Sequence, residues 1–348
     1  MLIDRFIVIG ENIHTTRVIR RPSPRLVDDE LGRPAIAFTD EHGSRRLLTI
    51  PDEELRTQEY EEGRVKHVRA AVRRAKEGDE AGIAYLRQLA LEQIEAGAAY
   101  LDVNVDEYSH RLPEQIETME FLVSLLARVS SVPLSVDSSN EEIIAAGLAA
   151  AVSAGSERPG ATGRPMLNSA SLERIDSLEL AVEVGGPVIV TAAGEAGMPS
   201  NAEERVENAS RMVDAALAKG IAPDLIYVDP LMFPIAVDGE FVRHVLDAIE
   251  ALRAEYGPEL HITGGMSNVS FGLPSRRLLN DAFLVLAIEA GADSGILDPV
   301  ANDVRRLPSI DREARPFRLA LDVLSGADRN CRAYIKASRA GELDAVAA

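Results

Sequence analysis

Cysteine is nearly missing from this sequence: Cys331 stands alone in 348 residues. One thiol cannot close an intrachain disulfide, and it excludes a zinc site built on cysteines. It fits a reducing cytosol, so the expected location is cytoplasmic. Lysine is almost as scarce, with Lys66, Lys76, Lys219 and Lys336 the only four. None sits at the end of an apolar run that reads as a strand, which leaves a Schiff base or a lysine clamp on phosphate without a candidate. No apolar run reaches the ~18 residues of a membrane span. The opening Met1-Leu2-Ile3-Asp4-Arg5 carries no basic segment followed by an apolar one. Positive charge is not in excess either: 56 acidic residues against 37 basic give a net charge of −19. Such a surface repels nucleic acid and anionic membrane while tolerating a small ligand in a locally neutral or basic site. No Gly-x-Gly-x-x-Gly follows a strand, and no Ser/His/Asp or Cys/His nucleophile arrangement is visible.

What is present is ample core material, at 46% hydrophobic residues, arranged in a repeating pattern. Eight short apolar runs recur: Phe6–Ile9, Tyr100–Val103, Leu134–Val136, Met166–Leu167, Val188–Val190, Ile226–Val228, His261–Thr263 and Gly295–Leu297. They are rich in Val, Ile and Leu and mostly lack polar alternation, as strands buried on both faces should. Stretches of helical period separate most of them, at Ile83–Ala96, Pro113–Val129, Asn140–Ala150, Glu203–Ala218, Glu240–Glu255 and Ser275–Ala290. Gly97, Gly220 and Gly291 each stand where a helix must end before the next strand. Strand and helix alternating eight times predict a parallel (β/α)₈ TIM barrel over residues 1–326, with a doubly wound open sheet as the structural alternative.

Two regions fall outside the alternation. Residues 17–62 form an insertion after the first strand, with a hairpin predicted from Ala35–Phe38, the turn Asp40-Glu41-His42-Gly43, and Arg46–Ile50. A connection of this length inside a compact domain is usually functional; a lid or a docking surface for a partner protein is one expectation, and packing on the barrel flank or on a second subunit is the other. The tail 327–348 is Ala- and Arg-rich and is expected to hold a helix.

The polar residues at the strand ends are the informative ones. Glu11 follows the first strand, and Asp102 and Asn104 close the second. Asp137, Asn168, Asp229 and Asp298 close the third, fourth, sixth and eighth, and Asn268 follows the seventh. In a barrel these positions converge on one mouth. Asp, Asn and Ser after a strand are also helix N-caps, and Ser139 and Asn140 read that way. Capping groups, however, normally come a residue or two after a strand, not on it. Among the histidines, His14 and His110 fall near the expected mouth, whereas His261 opens its strand and reads as structural. Two histidines in separate loops do not make the usual zinc site. Asp102, Asp137 and Asp229 offer a carboxylate set for Mg²⁺, but the interleaved amides suit a heterocycle better, so no metal is expected. A pterin edge presents N–H donors beside carbonyl and ring-nitrogen acceptors. An ionised Asp accepts two N–H bonds side by side, and Asn offers both donors and an acceptor.

Gly10-Glu11, Leu101-Asp102-Val103-Asn104, Val136-Asp137-Ser138-Ser139-Asn140, Leu167-Asn168-Ser169, Val228-Asp229-Pro230 and Gly264–Phe271 follow one another in the order of a known family. They resemble the pterin-binding barrel shared by methyltetrahydrofolate:corrinoid methyltransferases, the folate domain of cobalamin-dependent methionine synthase, and dihydropteroate synthase. Ser267-Asn268-Val269-Ser270-Phe271, then Arg276 and Asn280, is similar to the methyltetrahydrofolate branch. The resemblance implies a methyl group moved between N5 of tetrahydrofolate and the cobalt of a corrinoid, in either direction. By the same resemblance, Glu11, Asn104, Asp137, Asn168, Asp229, Ser267, Asn268 and Arg276 bind the pterin, with Asn268 beside N5 and Asn268 and Asp229 catalytic. It also implies a homodimer.

The corrinoid would arrive on a partner protein, since no fold-length segment remains for it. Asp40-Glu41-His42-Gly43-Ser44-Arg45 approaches the base-off cobalamin signature Asp-x-His-x-x-Gly but ends in Arg45, and it reads as a turn. The family's Gly-Glu-Arg-x-Asn is Gly10-Glu11-Asn12-Ile13-His14 in this chain. The rival enzyme is a dihydropteroate synthase, whose pattern wants a Lys after the seventh strand. The rival class is a non-catalytic pterin-binding module.

Overall fold

The computed structural model describes residues 5–156 and 163–343, so Met1–Asp4 and the last five residues of the predicted tail lie outside it. The described residues form two compact units, 10–168 and 5–9 with 169–343.

The first unit begins within β1 (Ile7–His14) and passes through the insertion. There β2 (Ile19–Arg20), β3 (Leu26–Asp28), β4 (Pro34–Thr39), β5 (Arg45–Thr49), α1 (Asp52–Leu55), α2 (Gln58–Glu61) and β6 (Arg64–Val65) follow in turn. Then come α3 (His67–Lys76), α4 (Glu80–Glu95), β7 (Ala98–Asn104), α5 (Leu112–Ala127), β8 (Leu134–Asp137), α6 (Glu141–Ser156) and the first residues of β9 (Met166–Ala170). The second unit holds α7 (Leu178–Val184), β10 (Val188–Thr191), α8 (Ala202–Ala218), β11 (Ile226–Asp229) and α9 (Phe241–Tyr256). It continues with β12 (His261–Ile262), α10 (Arg276–Ala290), β13 (Ser294–Leu297), α11 (Arg315–Leu324) and α12 (Arg332–Arg339).

Eight strands form one sheet in the order β12-β11-β10-β9-β8-β7-β1-β13. The pairs β7–β8, β8–β9, β10–β11 and β11–β12 are parallel. The last strand meets the first and also turns back to the seventh: Ile7 N donates to Asp293 O, Asp293 N to Ile262 O, and Ile296 N to Gly264 O. An order that returns on itself is (β/α)₈ topology. The strands lack alternation because both faces are covered: Val188, Ile189, Val190, Ile226 and Val228 are wholly buried. Each such side chain contributes about 1.5–3 kcal/mol of burial free energy.

Local chemistry sets the helix ends. Asp79 accepts from Ala81 N at 2.8 Å to start α4, and Asn201 accepts from Glu204 N at 2.8 Å to start α8. Gly97 (φ +99°) and Gly291 (φ +118°) end α4 and α10 in the left-handed region, as their positions in the sequence suggested.

The insertion is held by its own unit. The hairpin β4–β5 turns at Asp40, whose Oδ1 accepts from His42 N and Ser44 N. Phe38 meets the edge of Tyr85 on α4 at 5.0 Å, and Arg25 donates to the Tyr85 hydroxyl at 2.6 Å. Glu54, 2% exposed, accepts from Arg69 Nε at 2.7 Å and Arg73 Nε at 2.9 Å. Those two arginines also donate to the carbonyls of Glu107 and Tyr108, in the loop after β7.

Candidate active site

In the first unit the ends of β1, β7, β8 and β9 carry one connected polar cluster. His14 Nε2 lies 2.9 Å from Asp102 Oδ2, and Asn168 Nδ2 donates to Asp102 Oδ1 at 3.2 Å. Asn104 Nδ2 donates to Asp137 Oδ2 at 2.9 Å. The parallel register puts Asn104 opposite Asp137, and Asp137 opposite Asn168, so three consecutive strands end on these groups. Asp106, two residues past Asn104, accepts from Ser138 Oγ at 2.5 Å and from Ser139 N and Oγ at 3.0 Å. The loop after β7 is thereby pinned to the loop after β8.

Burial governs the ionisation of this cluster. It pushes the Asp137 carboxyl up to about 7, helped by the negative charge of Asp102 and opposed by His14 and Asn104. Burial alone would lower His14, but the hydrogen bond and charge of Asp102, with Asp137 and Glu11 behind it, raise it above the ordinary imidazole value. Within the group Asp137 is thus the acid that gives up its proton near neutrality. His14, Asp102 and Asp137 also have the atom types of a metal site, each offering one atom within 4.8 Å of the others. Of the three acids that suggested Mg²⁺ in the sequence, Asp102 and Asp137 are in this set and Asp229 is not.

In the second unit β11 ends on Asp229, buried to 8% exposure. Its Oδ1 accepts from Leu231 N at 2.7 Å. Burial pushes its carboxyl up to about 6, against the N–H groups of Leu231 and Gly265 and the charge of Arg205. The chain after β12 makes a 3₁₀ turn, Met266–Ser270, that carries Asn268 on an exposed corner. Both glycines before it leave room for polar side chains close by. A Cβ on Gly264 would come 3.1 Å from Asp229 Oδ1, and one on Gly265 would come 2.6 Å from Asn268 Nδ2. Arg276 braces the turn from α10, donating to Ser267 O at 2.7 Å and to Ser270 Oγ at 3.0 Å.

Asn104, Asp137 and Asn168 thus meet in one cluster with Asp102 and His14, while Asp229, Ser267, Asn268 and Arg276 gather around the β11 and β12 ends. Glu11 needs a correction. It lies within β1, not after it, because the strand runs on to His14. Gln93 Oε1 accepts from Asn12 N at 2.9 Å and would lie 2.5 Å from a Cβ on Gly10, so that glycine marks close packing and not a strand end. The Glu11 carboxylate pairs with Arg17 at 3.6 Å. Ser139 is also corrected: it donates to Asp106, while Asn140 caps α6 by accepting from Glu142 N and Ile143 N. His110 is exposed in the loop after β7. His261 opens β12, stacks on Tyr227 at 4.4 Å and bonds Asp293 at 2.9 Å.

Sequence reasoning missed Asp106 and Arg205. Asn104-x-Asp106 carried a signal, since two polar residues astride one apolar residue at a strand exit often form an Asx turn; Asp106 N does donate to Asn104 Oδ1. Arg205 gave none, for it lies among acidic residues on a helix whose pattern looks solvent-facing.

Comparison with known proteins agrees with this geometry. The sequence profile of the family described as pterin binding enzyme matches residues 73–298, a span that runs from α3 through β13. The methylcorrinoid:tetrahydrofolate methyltransferase of Eubacterium limosum is 32% identical over 271 residues, 76% of this chain and 91% of that protein. Methionine synthase of Mycobacterium leprae (strain TN) is 33% identical over 242 residues, 65% of this chain and 19% of that protein. The structure of Yersinia pestis dihydropteroate synthase with a pterine-sulfa conjugate matches with a TM-score of 0.50 at 21% identity, covering 64% of this chain and 85% of that one; it speaks for the fold alone. With seven of the eight barrel strands inside the matched span, the chain belongs to the pterin-binding enzyme family.

Proposed function

We propose that this protein is a methyltransferase that moves a methyl group between N5 of tetrahydrofolate and the cobalt of a corrinoid carried by a partner protein. The observation that carries the reading is the turn Gly264–Asn268. It presents an exposed amide held against a bare glycine, in a stretch with no lysine to serve a pyrophosphate-releasing synthase.

The proposed roles follow from the bonds already made. Asn168 spends its Nδ2 on Asp102, which leaves its Oδ1 to accept from a pterin N–H. Asn104 occupies Oδ2 of Asp137 and leaves Oδ1 for another N–H donor. Asp229 takes a third, and each such bond to a charged group is worth roughly 1.5–3 kcal/mol net. Ser267 and Arg276 support Asn268 through the turn, and Glu11 takes its proposed place at the pterin while paired with Arg17. When the methyl leaves N5, the C–N bond breaks and its electron pair stays on nitrogen. The Asn268 amide donates a hydrogen bond to that developing charge, and the product N5 takes a proton from solvent. The reverse transfer uses the same groups. The corrinoid supplies the cobalt(I) nucleophile, or the methyl in the opposite direction.

This chain's own near match to a cobalamin signature is the hairpin turn at Asp40, with a His42 side chain 79% exposed, so the corrinoid is assigned to the partner. The reading takes the enzyme to be a homodimer, as the family resemblance implies, and cytoplasmic, as the single cysteine suggests. Among the described residues no helix is long and apolar enough to cross a membrane.

The test is anaerobic mixing with 5-methyltetrahydrofolate and cobalt(I) cobalamin, followed by absorbance. The expected result is protein-dependent appearance of the methylcobalamin spectrum. No transfer in either direction, together with pyrophosphate release from an activated pterin and aminobenzoate, would overturn the reading.

A further inference from the structure

Helix α8 carries a cation for which the folate chemistry has no direct use. Arg205 is fully buried, although Glu203, Glu204 and Glu207 beside it are exposed. Its Nη1 donates to Asn201 O at 3.0 Å and Pro199 O at 3.5 Å, and its Nη2 to Leu231 O at 3.5 Å. The guanidinium carbon stands 5.1 Å from the centre of the Phe233 ring. Its Nε–H has no partner. Carbonyls, an aromatic face and an unused donor are a poor exchange for water around a full charge, and a methionine would fill the same space without that penalty.

The route from this cation leads to Asp229. Leu231 adopts φ +66°, a left-handed conformation unfavourable for a branched side chain. In that conformation its N–H donates to Asp229 Oδ1 while its carbonyl accepts from Arg205. One peptide is thus held at one end by the cation and at the other by the carboxylate. We propose that Arg205 is a positioning residue for Asp229, a hidden positive charge that, placed beside the carboxylate by the shared Leu231 peptide, keeps it ionised and ready to accept a pterin N–H. The inference rests on the reading that Asp229 binds the pterin.

Other neighbours do not supply the charge. β10 presents Thr191 in register with Asp229, and the end of β12 presents Thr263, Gly264 and Gly265. Arg205 is the charged group that acts on Asp229, and Arg205 in turn feels Asp229 and Glu204. Burial holds Asp229 at about 6 with Arg205 in place, so losing the cation moves its titration upward into the neutral range.

Calorimetric titration of tetrahydrofolate into wild type, Arg205→Met, Arg205→Gln and Arg205→Lys, from pH 5.5 to 8.5, tests this. The quantity to compare is the affinity of each variant relative to wild type at the same pH, in which the titration of Asp137 cancels. For Met and Gln the expected loss is about two- to tenfold at pH 7 and less than twofold at pH 8.5, the pattern of a carboxylate titrating about one to two pH units higher. Lys, which keeps the charge, should stay close to wild type throughout. A loss that is the same at every pH, or no loss, would overturn the positioning role while leaving the folate reading intact. The Gln variant, which can still donate to a carbonyl, decides the matter if Met fails to fold. No binding heat in wild type would defeat the folate reading itself, and this inference with it.

Discussion

Acidification should loosen the grip on folate, by an amount the two buried acids set. Burial pushes Asp137 up to about 7 and Asp229 up to about 6, and in the roles proposed for them both are ionised when they accept pterin N–H groups. Both are raised above the ordinary carboxylate value, so protons compete with the ligand as pH falls through those values. Between pH 8 and pH 6 Asp137 alone weakens binding about tenfold and Asp229 about twofold more, for roughly twentyfold in all. Anaerobic calorimetry with tetrahydrofolate at half-unit steps measures this directly. In Asp137→Asn the tenfold part should vanish, leaving the shallow limb of Asp229. The affinity at pH 8 should fall about 10- to 100-fold for the lost charged hydrogen bond. An affinity that stays flat or tightens towards pH 6 would refute the assignment of these carboxylates to the pterin.

Further outcomes follow from the same geometry. Asn268→Ala should lower the methyl-transfer rate about 10²- to 10³-fold while folate affinity changes little, as rapid-mixing absorbance and calorimetry would show separately. The ligand-free protein should melt at a higher temperature at pH 6 than at pH 8. Asp137, Asp229 and His14 all have raised values in the fold, so the native state binds more protons than the unfolded chain and stability falls as pH rises through them. Asp137→Asn should accordingly raise the melting temperature at pH 8 while it weakens folate binding. Glu54→Ala leaves Arg69 and Arg73 without their buried carboxylate and should destabilise the fold by about 3–5 kcal/mol in urea titration.

The strands were legible because burial on both faces leaves an unbroken apolar run, and Val188–Val190 and Ile226–Val228 lie inside β10 and β11. The long helices were legible from their period and their glycine ends. α3 was not: its buried face includes His67 and Arg69, satisfied by Tyr85 and Glu54, so a face that packs inward reads as polar. α7 is only seven residues long, too short for a period to register. The end of β1 was misplaced because Gly10 reads as punctuation, whereas it makes room for Gln93, 83 residues away in sequence. Of the candidate site residues, Asn104, Asp137, Asn168 and Asp229 do stand at or near strand ends, where an apolar run closing on a polar group marks them in the sequence. The pairing of His14 with Asp102, the clasp of Asp106 on Ser138 and Ser139, and the reach of Arg205 to Leu231 depend on contacts between distant segments, which no local pattern encodes.

The most direct measurement follows the methyl group itself. Tetrahydrofolate carrying a ¹³C methyl on N5 would be incubated with the protein and reduced cobalamin, and the label observed by NMR. The account predicts that the ¹³C resonance moves from the folate to the cobalt-bound position, faster with wild type than with Asn268→Ala. A label that stays on folate with the protein present, under conditions where folate is bound, would contradict it.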